Sequence, residues 1–307
     1  MREFIQPTIG GLDPGRRLPQ GAAAYRARIG DQLAGICAGF SARAPDLGTA
    51  MAEAVMAPGK RFRGTLMLLV AARTGGVTRA VTDAAVALEL IHAASLIIDD
   101  LPAMDGATLR RGRPTTHVAH GESRAILAGI ALVSEAFRLL AVTPGPEGEV
   151  RARTVAILAE CVGPAGLCAG QDMDLHAPKT LHSVTREQDL KTGALFAAGF
   201  RIIAALQGHG AERTEALVVL SWILGRAFQS LDDLRDVAGS AELLGKDTGL
   251  DAGHGAGKGL LAVSRYDEAL AHYRRLSAAL DDALGALWFD SGELTDYIRA
   301  ILPHDPA

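Results

Sequence analysis

The sequence predicts an all-α fold that forms a single domain. Ala, Leu and Gly dominate its 307 residues, and aromatic residues make up only 5%, which favours closely packed helices over sheets of β-branched and aromatic strands. Apolar residues recur at intervals of three and four, with short Gly- and Pro-containing interruptions. Segments 84–98, 125–140 and 216–236 are apolar on nearly every side, so we expect them to be central helices of a bundle.

Two glycine-containing parts of the chain are expected to lie outside regular helices. Residues 1–20 also contain prolines and are predicted to form a poorly ordered arm ahead of a domain that spans residues 21–307. Residues 237–259 combine glycines with charged side chains, which is typical of a lid-like loop.

Charge, cysteine content and hydropathy exclude several classes of protein. A net charge of −4 is mild for this length and gives no indication of a nucleic-acid surface. Cys37, Cys161 and Cys168 suit neither a zinc ribbon nor a disulfide framework, so we expect buried free thiols in a reducing cytoplasm. The apolar runs 125–133 and 194–206 are short or interrupted, and the N-terminus lacks a signal-peptide pattern. No transmembrane segment is expected.

The later of two acidic clusters places four polar side chains at i, i+3, i+4 and i+7, which forms one stripe on a helix. They are Gln229, Asp232, Asp233 and Asp236. The preceding residues are almost wholly apolar, so the stripe continues a buried helix where unpaired carboxylates would repel one another. Oxygen ligands without Cys or His suit Mg²⁺, which usually shares its remaining positions with water and phosphate.

The earlier cluster ends another apolar helix and contains Asp99, Asp100 and Asp105. Asp99 and Asp105 are six positions apart, which is about 240° around an ideal helix. They can approach each other only if the backbone leaves the helix between them, and Pro102 provides a reason for it to do so.

Basic residues near both clusters have the chemistry that diphosphates require. Arg110-Arg111-Gly112-Arg113 directly follows the first cluster, and Gly112 permits a tight turn that would present the guanidinium groups together. Two further cationic groups are Gly59-Lys60-Arg61-Phe62-Arg63 and Lys191-Thr192-Gly193. His92 lies seven residues before Asp99, on the same helical stripe, although a histidine alone there could be a core residue.

Seven motifs occur in a fixed order between about residues 55 and 258. They are Gly59-Lys60-Arg61-Phe62-Arg63, the segment 89–96 (ELIHAASL), the first acidic cluster with 110–117 (RRGRPTTH), 170–175 (GQDMDL), 191–195 (KTGAL), the second acidic cluster, and Gly245-Lys246-Asp247. Because these motifs occur in this order, the chain resembles the trans-isoprenyl diphosphate synthases, most closely the bacterial geranylgeranyl diphosphate synthases of carotenoid biosynthesis. Single motifs are weak signals, whereas their joint order is specific.

The resemblance implies an isoprenoid-synthase helical bundle around a central cavity and a cytoplasmic homodimer. It implies the head-to-tail (1′-4) condensation of isopentenyl diphosphate with an allylic diphosphate, most closely to the C20 product for carotenoid or other terpenoid synthesis. A C15 farnesyl diphosphate synthase and a non-catalytic regulatory subunit are the alternatives. A terpene cyclase, the other class with aspartate-rich helices, has no need of an isopentenyl diphosphate site.

The resemblance also implies a role for each residue that matches a family motif. Isopentenyl diphosphate would bind Lys60, Arg61, His92 and Arg111, and the allylic diphosphate would bind Arg110, Lys191, Thr192, Gln229 and Lys246. Mg²⁺, as three ions, would bind Asp99, Asp100, Asp105, Asp232 and Asp236. The catalytic set would be Asp99, Asp100, Asp105, Arg110, Lys191, Asp232 and Lys246, with Gln171 and Asp233 completing the site. Small residues at Ala94 and Ser95 would leave room for a C20 chain.

The chain departs from the family pattern at three places. Gly64 stands where the first motif commonly ends in proline, Ile130 stands where an aspartate is frequent, and the acidic string that often follows the first cluster is reduced to Gly106-Ala107-Thr108. We expect the first departure to alter a local turn and the second to remove a supporting carboxylate, with activity retained.

Overall fold

The computed structural model describes residues 19–244 and 259–305, with the backbone alone for 236–244. Helices account for nearly all of its regular structure, which confirms the all-α prediction. The α-helices are α1 Gln20–Arg43, α2 Pro45–Met56, α3 Phe62–Thr74, α4 Arg79–Asp99, α5 Thr116–His120, α6 Glu122–Val142, α7 Gly148–Val162, α8 Leu167–His176, α9 Leu181–Gln188, α10 Ala194–Gln207, α11 Ala211–Leu244, α12 Tyr266–Gly285 and α13 Gly292–Ile301. A π-helical turn spans Asp189–Gly193, a 3₁₀ turn spans Gly259–Ala262, and a hairpin joins β1 Leu109–Arg110 to β2 Arg113–Pro114.

The chain divides into two compact units, Met1–Val155 and Ala156–Ala307, with the boundary inside α7. The single domain expected over 21–307 therefore stays a prediction. Residues 1–18 of the expected arm lie outside the described residues, and α1 already begins at Gln20.

Helix α4 is the core of the first unit. Thr78 caps its start by accepting a hydrogen bond from the Val81 N–H, which satisfies one of the free donors of the first turn. Its side chains from Ala80 to Ile91 are all buried, and it packs most extensively against α6 and α3. The central position predicted for 84–98 is confirmed.

Helix α6 buries one face and exposes the other. Ala125, Ala128 and Leu132 are buried on the inner face, whereas Leu127 is 54% exposed and Ile130 is 60% exposed. The prediction that 125–140 is buried on nearly every side is therefore wrong for the single chain. Apolar composition predicts that a surface will be covered, but it does not say whether the covering atoms belong to the same chain.

Among residues 19–244 and 259–305, three helical segments are long and apolar enough to cross a membrane by length and composition alone. They are Arg79–Asp99, Glu122–Val142 and Gly148–His176. The sequence argument that the apolar runs are too short is therefore wrong, because Gly129 does not interrupt α6. Within the protein, 78% of the apolar window of Arg79–Asp99 is buried by packing.

Helix α11 is the longest helix of the second unit and packs against α10 and α12. Leu217, Leu220 and Leu224 are fully buried along it, which agrees with the central position predicted for 216–236. The helix continues to Leu244, so the predicted loop over 237–259 begins later than expected. Residues 245–258 lie outside the described residues.

Two of the three cysteines have the predicted environment. Cys37 and Cys161 are buried, but Cys168, near the start of α8, is exposed, so that part of the prediction is wrong. Burial raises the pKa of the Cys37 thiol to about 11, although the charge of Arg61 acts in the opposite direction. Such a thiol stays protonated and unreactive at neutral pH.

Candidate active site

The first aspartate cluster is a closed loop at the end of α4. The helix ends at Asp99, and the Asp105 N–H donates a hydrogen bond of 2.9 Å to the Asp99 carbonyl. Leu101 accepts hydrogen bonds from the N–H groups of Met104 and Gly106 inside the same loop. The ends of the cluster are therefore adjacent in the backbone, as the position of Pro102 predicted.

Asp100 faces inward and holds Arg110. Asp100 is 3% exposed, and Arg110 donates from Nε to both carboxylate oxygens at 2.9 and 3.0 Å and from Nη2 at 2.7 Å. Burial opposes the charge on Arg110, but these hydrogen bonds outweigh it and raise the pKa of the guanidinium. The pair fixes Arg110 beside the loop, and the carboxylate of Asp100 is engaged by a cation of the protein itself.

A two-residue hairpin presents the arginines that follow this cluster. Leu109 pairs with Pro114 and Arg110 with Arg113, and the two central residues have positive φ values, 53° at Arg111 and 73° at Gly112. Two consecutive left-handed residues define the turn that matches the twist of antiparallel strands. The tight turn predicted from Gly112 is confirmed, and the Arg111 side chain donates to the carbonyl of Pro58.

The turn before α3 contains a second left-handed arginine. Arg61 has φ 49° and is the N-cap residue of α3. Its Nη2 donates to the carbonyls of Val55 and Ala57 at the end of α2, and its Nη1 lies 3.8 Å from the Glu89 carboxylate. Its guanidinium thus points into the protein.

Arg63, which the sequence placed in a cationic motif without a role in binding, is the neighbour of His92. Its Nη1 lies 3.4 Å from His92 Nε2, with Arg63 on the first turn of α3 and His92 on α4. Burial, and then the charges of Arg63, Arg111, Arg110 and Arg61, hold the pKa of His92 well below its usual range. Burial and the nearby arginine charges thus both favour the neutral imidazole.

The two residues expected to set product length lie one turn before Asp99. Ala94 is 2% exposed, and the Ser95 hydroxyl donates to the His92 carbonyl at 2.9 Å. Helix α6 comes close here, since a Cβ on Gly129 would lie 2.9 Å from the Ile98 side chain and 3.9 Å from the Ala94 carbonyl. The role of both residues in product length stays a prediction.

In the second unit, Lys191 belongs to a chain of alternating charges. Its Nζ donates to Asp174 at 2.8 Å, and Lys179 donates to Asp174 at 2.8 Å and to Glu187 at 2.7 Å. Burial would raise the pKa of Asp174, but the two lysines outweigh it and lower that pKa to about 2. The sequence named Lys191 and the 170–175 motif that contains Asp174, but it did not predict their ion pair or the contacts of Lys179 with Asp174 and Glu187.

Thr192, Gln229 and Asp233 form a hydrogen-bonded row. The Thr192 hydroxyl donates to Gln229 Oε1 at 3.0 Å, and Gln229 Nε2 donates to Asp233 Oδ1 at 3.0 Å. The other oxygen of Asp233 accepts from the Gln188 amide at 3.2 Å and the Leu260 N–H at 2.8 Å. Asp233 is therefore buried, and both of its carboxylate oxygens hold neighbouring groups in place.

The second aspartate cluster lies on the regular part of α11, as predicted. Asp232 is partly exposed, whereas Asp233 is 7% exposed. The side chain of Asp236 and the whole of Lys246 lie outside the described residues, so both assignments stay predictions.

Backbone contacts without side chains position Lys191 and Thr192. The π-helical turn that carries them packs on α11 so closely that a Cβ on Gly225 would lie 2.7 Å from the Gly193 Cα. On α8, the buried amide atoms of Gln171 have no hydrogen-bond partner among the described residues. A π-turn and an unsatisfied buried amide are both common at functional sites.

The donor set fits Mg²⁺ that is completed by a phosphate ligand. Each unit has carboxylate oxygens of its own, on the Asp99–Asp105 loop in the first and at Asp232 in the second. In the described part of the chain, no three carboxylate, His or Cys side chains converge on one point. Mg²⁺ is usually bound by one or two carboxylates together with water and substrate phosphates, so a site of this kind agrees with that chemistry.

A family model described as polyprenyl synthetase matches residues 45–278. The chain belongs to the polyprenyl synthetase family. As such it is a Mg²⁺-dependent prenyltransferase, which accounts for carboxylates and cations in the same motifs.

Three relatives illustrate the range of this family. A geranylgeranyl diphosphate synthase of Pseudescherichia vulneris is 43% identical over 255 residues, covering 81% of this chain and 80% of the relative. A farnesyl diphosphate synthase of Haemophilus influenzae is 39% identical over 207 residues, covering 66% and 70%. A Helicobacter pylori geranyltransferase, solved with magnesium and isoprenyl diphosphate, is 27% identical with a TM-score of 0.71, covering 93% of this chain and 96% of that one.

Proposed function

We propose that this polyprenyl synthetase condenses isopentenyl diphosphate with an allylic diphosphate and releases geranylgeranyl diphosphate. The observation that carries the proposal is the group of four arginines around a neutral His92, in the same unit as the Asp99–Asp105 loop. Several cations beyond the one that Asp100 holds suit an enzyme that binds two diphosphates. A terpene cyclase, which ionises one diphosphate, has no use for them.

Isopentenyl diphosphate is assigned to Lys60, Arg63, His92 and Arg111. Arg63 replaces Arg61 in this set because it contacts His92, whereas the Arg61 guanidinium contacts main-chain carbonyls and Glu89. Arginine offers paired N–H donors that match phosphate oxygens, and a neutral imidazole adds one donor or acceptor without further charge.

The allylic diphosphate is assigned to Arg110 and Lys191, with Lys246 as a third cation. The metal ligands proposed are Asp99, Asp105, Asp232 and Asp236, which would hold three Mg²⁺ ions, with Asp100 acting through Arg110. Bound Mg²⁺ supplies Lewis-acid stabilisation of the departing diphosphate.

The residues of the chain then act on charges that develop during the reaction. The C1–O bond of the allylic substrate breaks, and Arg110 and Lys191 stabilise the negative charge on the leaving diphosphate. Oxygens of Thr192 and Gln229 lie along one row and can stabilise the allylic cation. The double bond of isopentenyl diphosphate attacks C1, and the released diphosphate takes the proton that is then lost. Apolar residues of α4 exclude water from the cation.

A C20 product is supported by the small, buried Ala94 and by the 43% identical geranylgeranyl diphosphate synthase. The farnesyl diphosphate synthase of Haemophilus influenzae supports C15 as the second candidate. Burial of each added methylene contributes about 0.8 kcal/mol, so a further isoprene unit is stable wherever a void can hold it. The C20 product would serve carotenoid or other terpenoid synthesis in the cytoplasm.

A homodimer is supported by the outer face of α6. Ile126, Leu127 and Ile130 are exposed in sequence positions that form one side of this helix. A stripe of this kind on a single chain indicates contact with another protein surface.

Sedimentation velocity tests the homodimer. Leu127→Asp should give a monomer, while Ala72→Asp, at an exposed position on α3, should leave the dimer intact. A monomeric wild type would refute the assignment.

Product analysis tests the proposed reaction. The purified protein is incubated with Mg²⁺, isopentenyl diphosphate and each of the C5, C10 and C15 allylic starters, and product length is measured. We expect C20. A C15 endpoint would support the second candidate, and no condensation with any starter would favour a regulatory subunit and overturn the enzyme assignment.

The Ala94 assignment has a test of its own. Ala94→Phe should shorten the product while turnover continues, because the ring fills the space one turn before Asp99. Ala72→Phe adds the same ring at an exposed position of α3 and should leave product length unchanged. Unchanged length in Ala94→Phe would mean that the limit of the chain lies elsewhere.

A further inference from the structure

Helix α3 begins without a side-chain cap of its own. Its N-cap residue, Arg61, makes no capping hydrogen bond, and the first N–H groups of any helix need acceptors from outside it. Glu89, on α4, supplies one. Its Oε1 accepts the Gly64 N–H at 2.9 Å, and Glu89 is 3% exposed. A carboxylate at this end of a helix is also favoured by the helix dipole.

The second oxygen of Glu89 lies near a cation of the same turn. Glu89 Oε2 is 3.8 Å from Arg61 Nη1, and the Arg61 side chain is 14% exposed. A buried carboxylate is stable only when it is paired and hydrogen-bonded, and Glu89 has both kinds of partner. The two oxygens therefore bind the residues on either side of the start of α3.

These contacts flank the residues that we assign to isopentenyl diphosphate. Lys60 and Arg63 each adjoin the segment Arg61–Phe62, and Arg61 is in the left-handed conformation, which a residue with a side chain rarely adopts. A strained residue persists only when its surroundings hold it. The carbonyls at the end of α2 and Glu89 are the groups that hold it here.

Gly64 is the residue that makes this arrangement possible. A proline at this position would have no N–H to donate to Glu89. A Cβ would also lie 3.2 Å from the Ala85 carbonyl and 3.2 Å from Glu89 Cγ. The departure from the common proline is thus matched to the close approach of α3 and α4.

We propose that Glu89 is a positioning residue for the isopentenyl diphosphate site, acting through Gly64 and Arg61 to orient Lys60 and Arg63. The inference rests on the proposed function. Glu89 does not touch substrate; it fixes the turn from which the cations reach the diphosphate. Removal of the Glu89 carboxylate should therefore weaken the binding of isopentenyl diphosphate and leave the binding of the allylic diphosphate unchanged.

The main experiment compares Glu89→Gln with the wild-type enzyme. Glutamine keeps an acceptor for the Gly64 N–H and loses the charge that faces Arg61. We expect the KM and Kd for isopentenyl diphosphate to rise about tenfold, with the KM for the allylic diphosphate and kcat little changed. Glu135→Gln is the matched control, because Glu135 pairs with Arg138 within α6, and it should change none of these values.

Two variants at Gly64 test the hydrogen bond separately. Gly64→Ala adds a Cβ and keeps the N–H, whereas Gly64→Pro removes the N–H as well. The additional rise in the KM for isopentenyl diphosphate from alanine to proline measures the contact with Glu89. This pair also tests the inference if Glu89→Gln does not fold.

Three results would contradict the inference. They are an unchanged KM for isopentenyl diphosphate in Glu89→Gln, equal losses for both substrates that follow a lower Tm, and equal effects of Gly64→Ala and Gly64→Pro. A wild-type protein that fails to bind isopentenyl diphosphate in calorimetry would instead refute the proposed function, so the two failures are distinguishable.

Discussion

The two units of this polyprenyl synthetase hold the cations that we assign to diphosphate binding in different ways. In the first unit, burial and then the charges of four arginines depress the pKa of His92, and two of these arginines, Arg61 and Arg111, have left-handed backbone conformations. In the second, Lys191 lies on a π-helical turn and is paired with Asp174, which also binds Lys179. One group concentrates positive charge, and the other alternates the two signs.

The difference suggests different tasks for the two groups. A concentration of positive charge binds an anion directly and contributes to affinity before any reaction. A lysine that already has a carboxylate partner must give up that contact to bind phosphate, so it adds little to the affinity for the substrate. We expect it to stabilise the leaving diphosphate most when negative charge grows there in the transition state. Variants of the isopentenyl diphosphate residues of the first group should therefore change KM, and variants of Lys191 in the second should change kcat.

The largest effect is expected for Lys191→Met. Loss of a cation that acts on the leaving diphosphate should lower kcat by about 10²- to 10³-fold with little change in the KM for isopentenyl diphosphate. Lys179→Met removes the other lysine of Asp174 and should reduce kcat far less. Single-turnover kinetics separate the chemical step from release, and equal losses in both variants would mean that Lys191 acts only through Asp174.

Arg63→Met should raise the KM for isopentenyl diphosphate by about 10²-fold, because a charge-assisted contact with the diphosphate is lost. Arg61→Met should raise it by about tenfold, since Arg61 supports the turn. Steady-state kinetics at a saturating allylic starter give both values. The reverse order would return the diphosphate contact to Arg61, as the sequence first implied.

Asp174→Asn tests the exchange of partners at Lys191. Without the carboxylate, we expect tighter binding of the allylic diphosphate, because phosphate no longer displaces an anion. We expect kcat to fall about tenfold, because Lys191 is less well oriented. Calorimetry with the starter alone provides the affinity, and weaker binding would argue against an exchange.

The smallest effect concerns the pH dependence of stability through His92. Its native pKa lies well below 6.5, so above pH 6.5 neither state binds the proton. Below pH 6.5 the unfolded state binds it and the native state does not, so the free energy of unfolding falls by up to about 1.4 kcal/mol per pH unit until the native pKa is reached. Urea unfolding should show this slope in the wild type, and His92→Gln should lack it; the same slope in both would assign it to other groups.

Local rules predicted much of this site because they concern the backbone. Pro102 predicted that the Asp99–Asp105 segment leaves the helix, and the Asp105 N–H does donate a hydrogen bond to the Asp99 carbonyl. Gly112 predicted the tight turn of the hairpin. Residue spacing placed Asp232 and Asp233 on one regular helix.

What the sequence could not provide was the direction of individual side chains. Arg61 and Arg63 are two positions apart in one cationic motif, and the left-handed conformation of Arg61 decides which of them meets His92. Nothing in the neighbouring sequence indicates that an arginine will adopt the left-handed conformation. Asp174, distant in sequence from Lys191, and the exposed face of α6 depend on tertiary packing in the same way.

The contact between Gly193 and Gly225 bears on how mutational data for this enzyme should be interpreted. A Cβ on Gly225 would meet the backbone of Gly193, and a Cβ on Gly193 would lie 2.7 Å from the Trp222 ring, so neither position has room for a side chain. A saturation scan should therefore find both glycines as intolerant as the residues that touch substrate. Intolerance alone would then mark the rigid frame of the active site together with its chemistry, and only separate measurements of binding and turnover would tell the two apart.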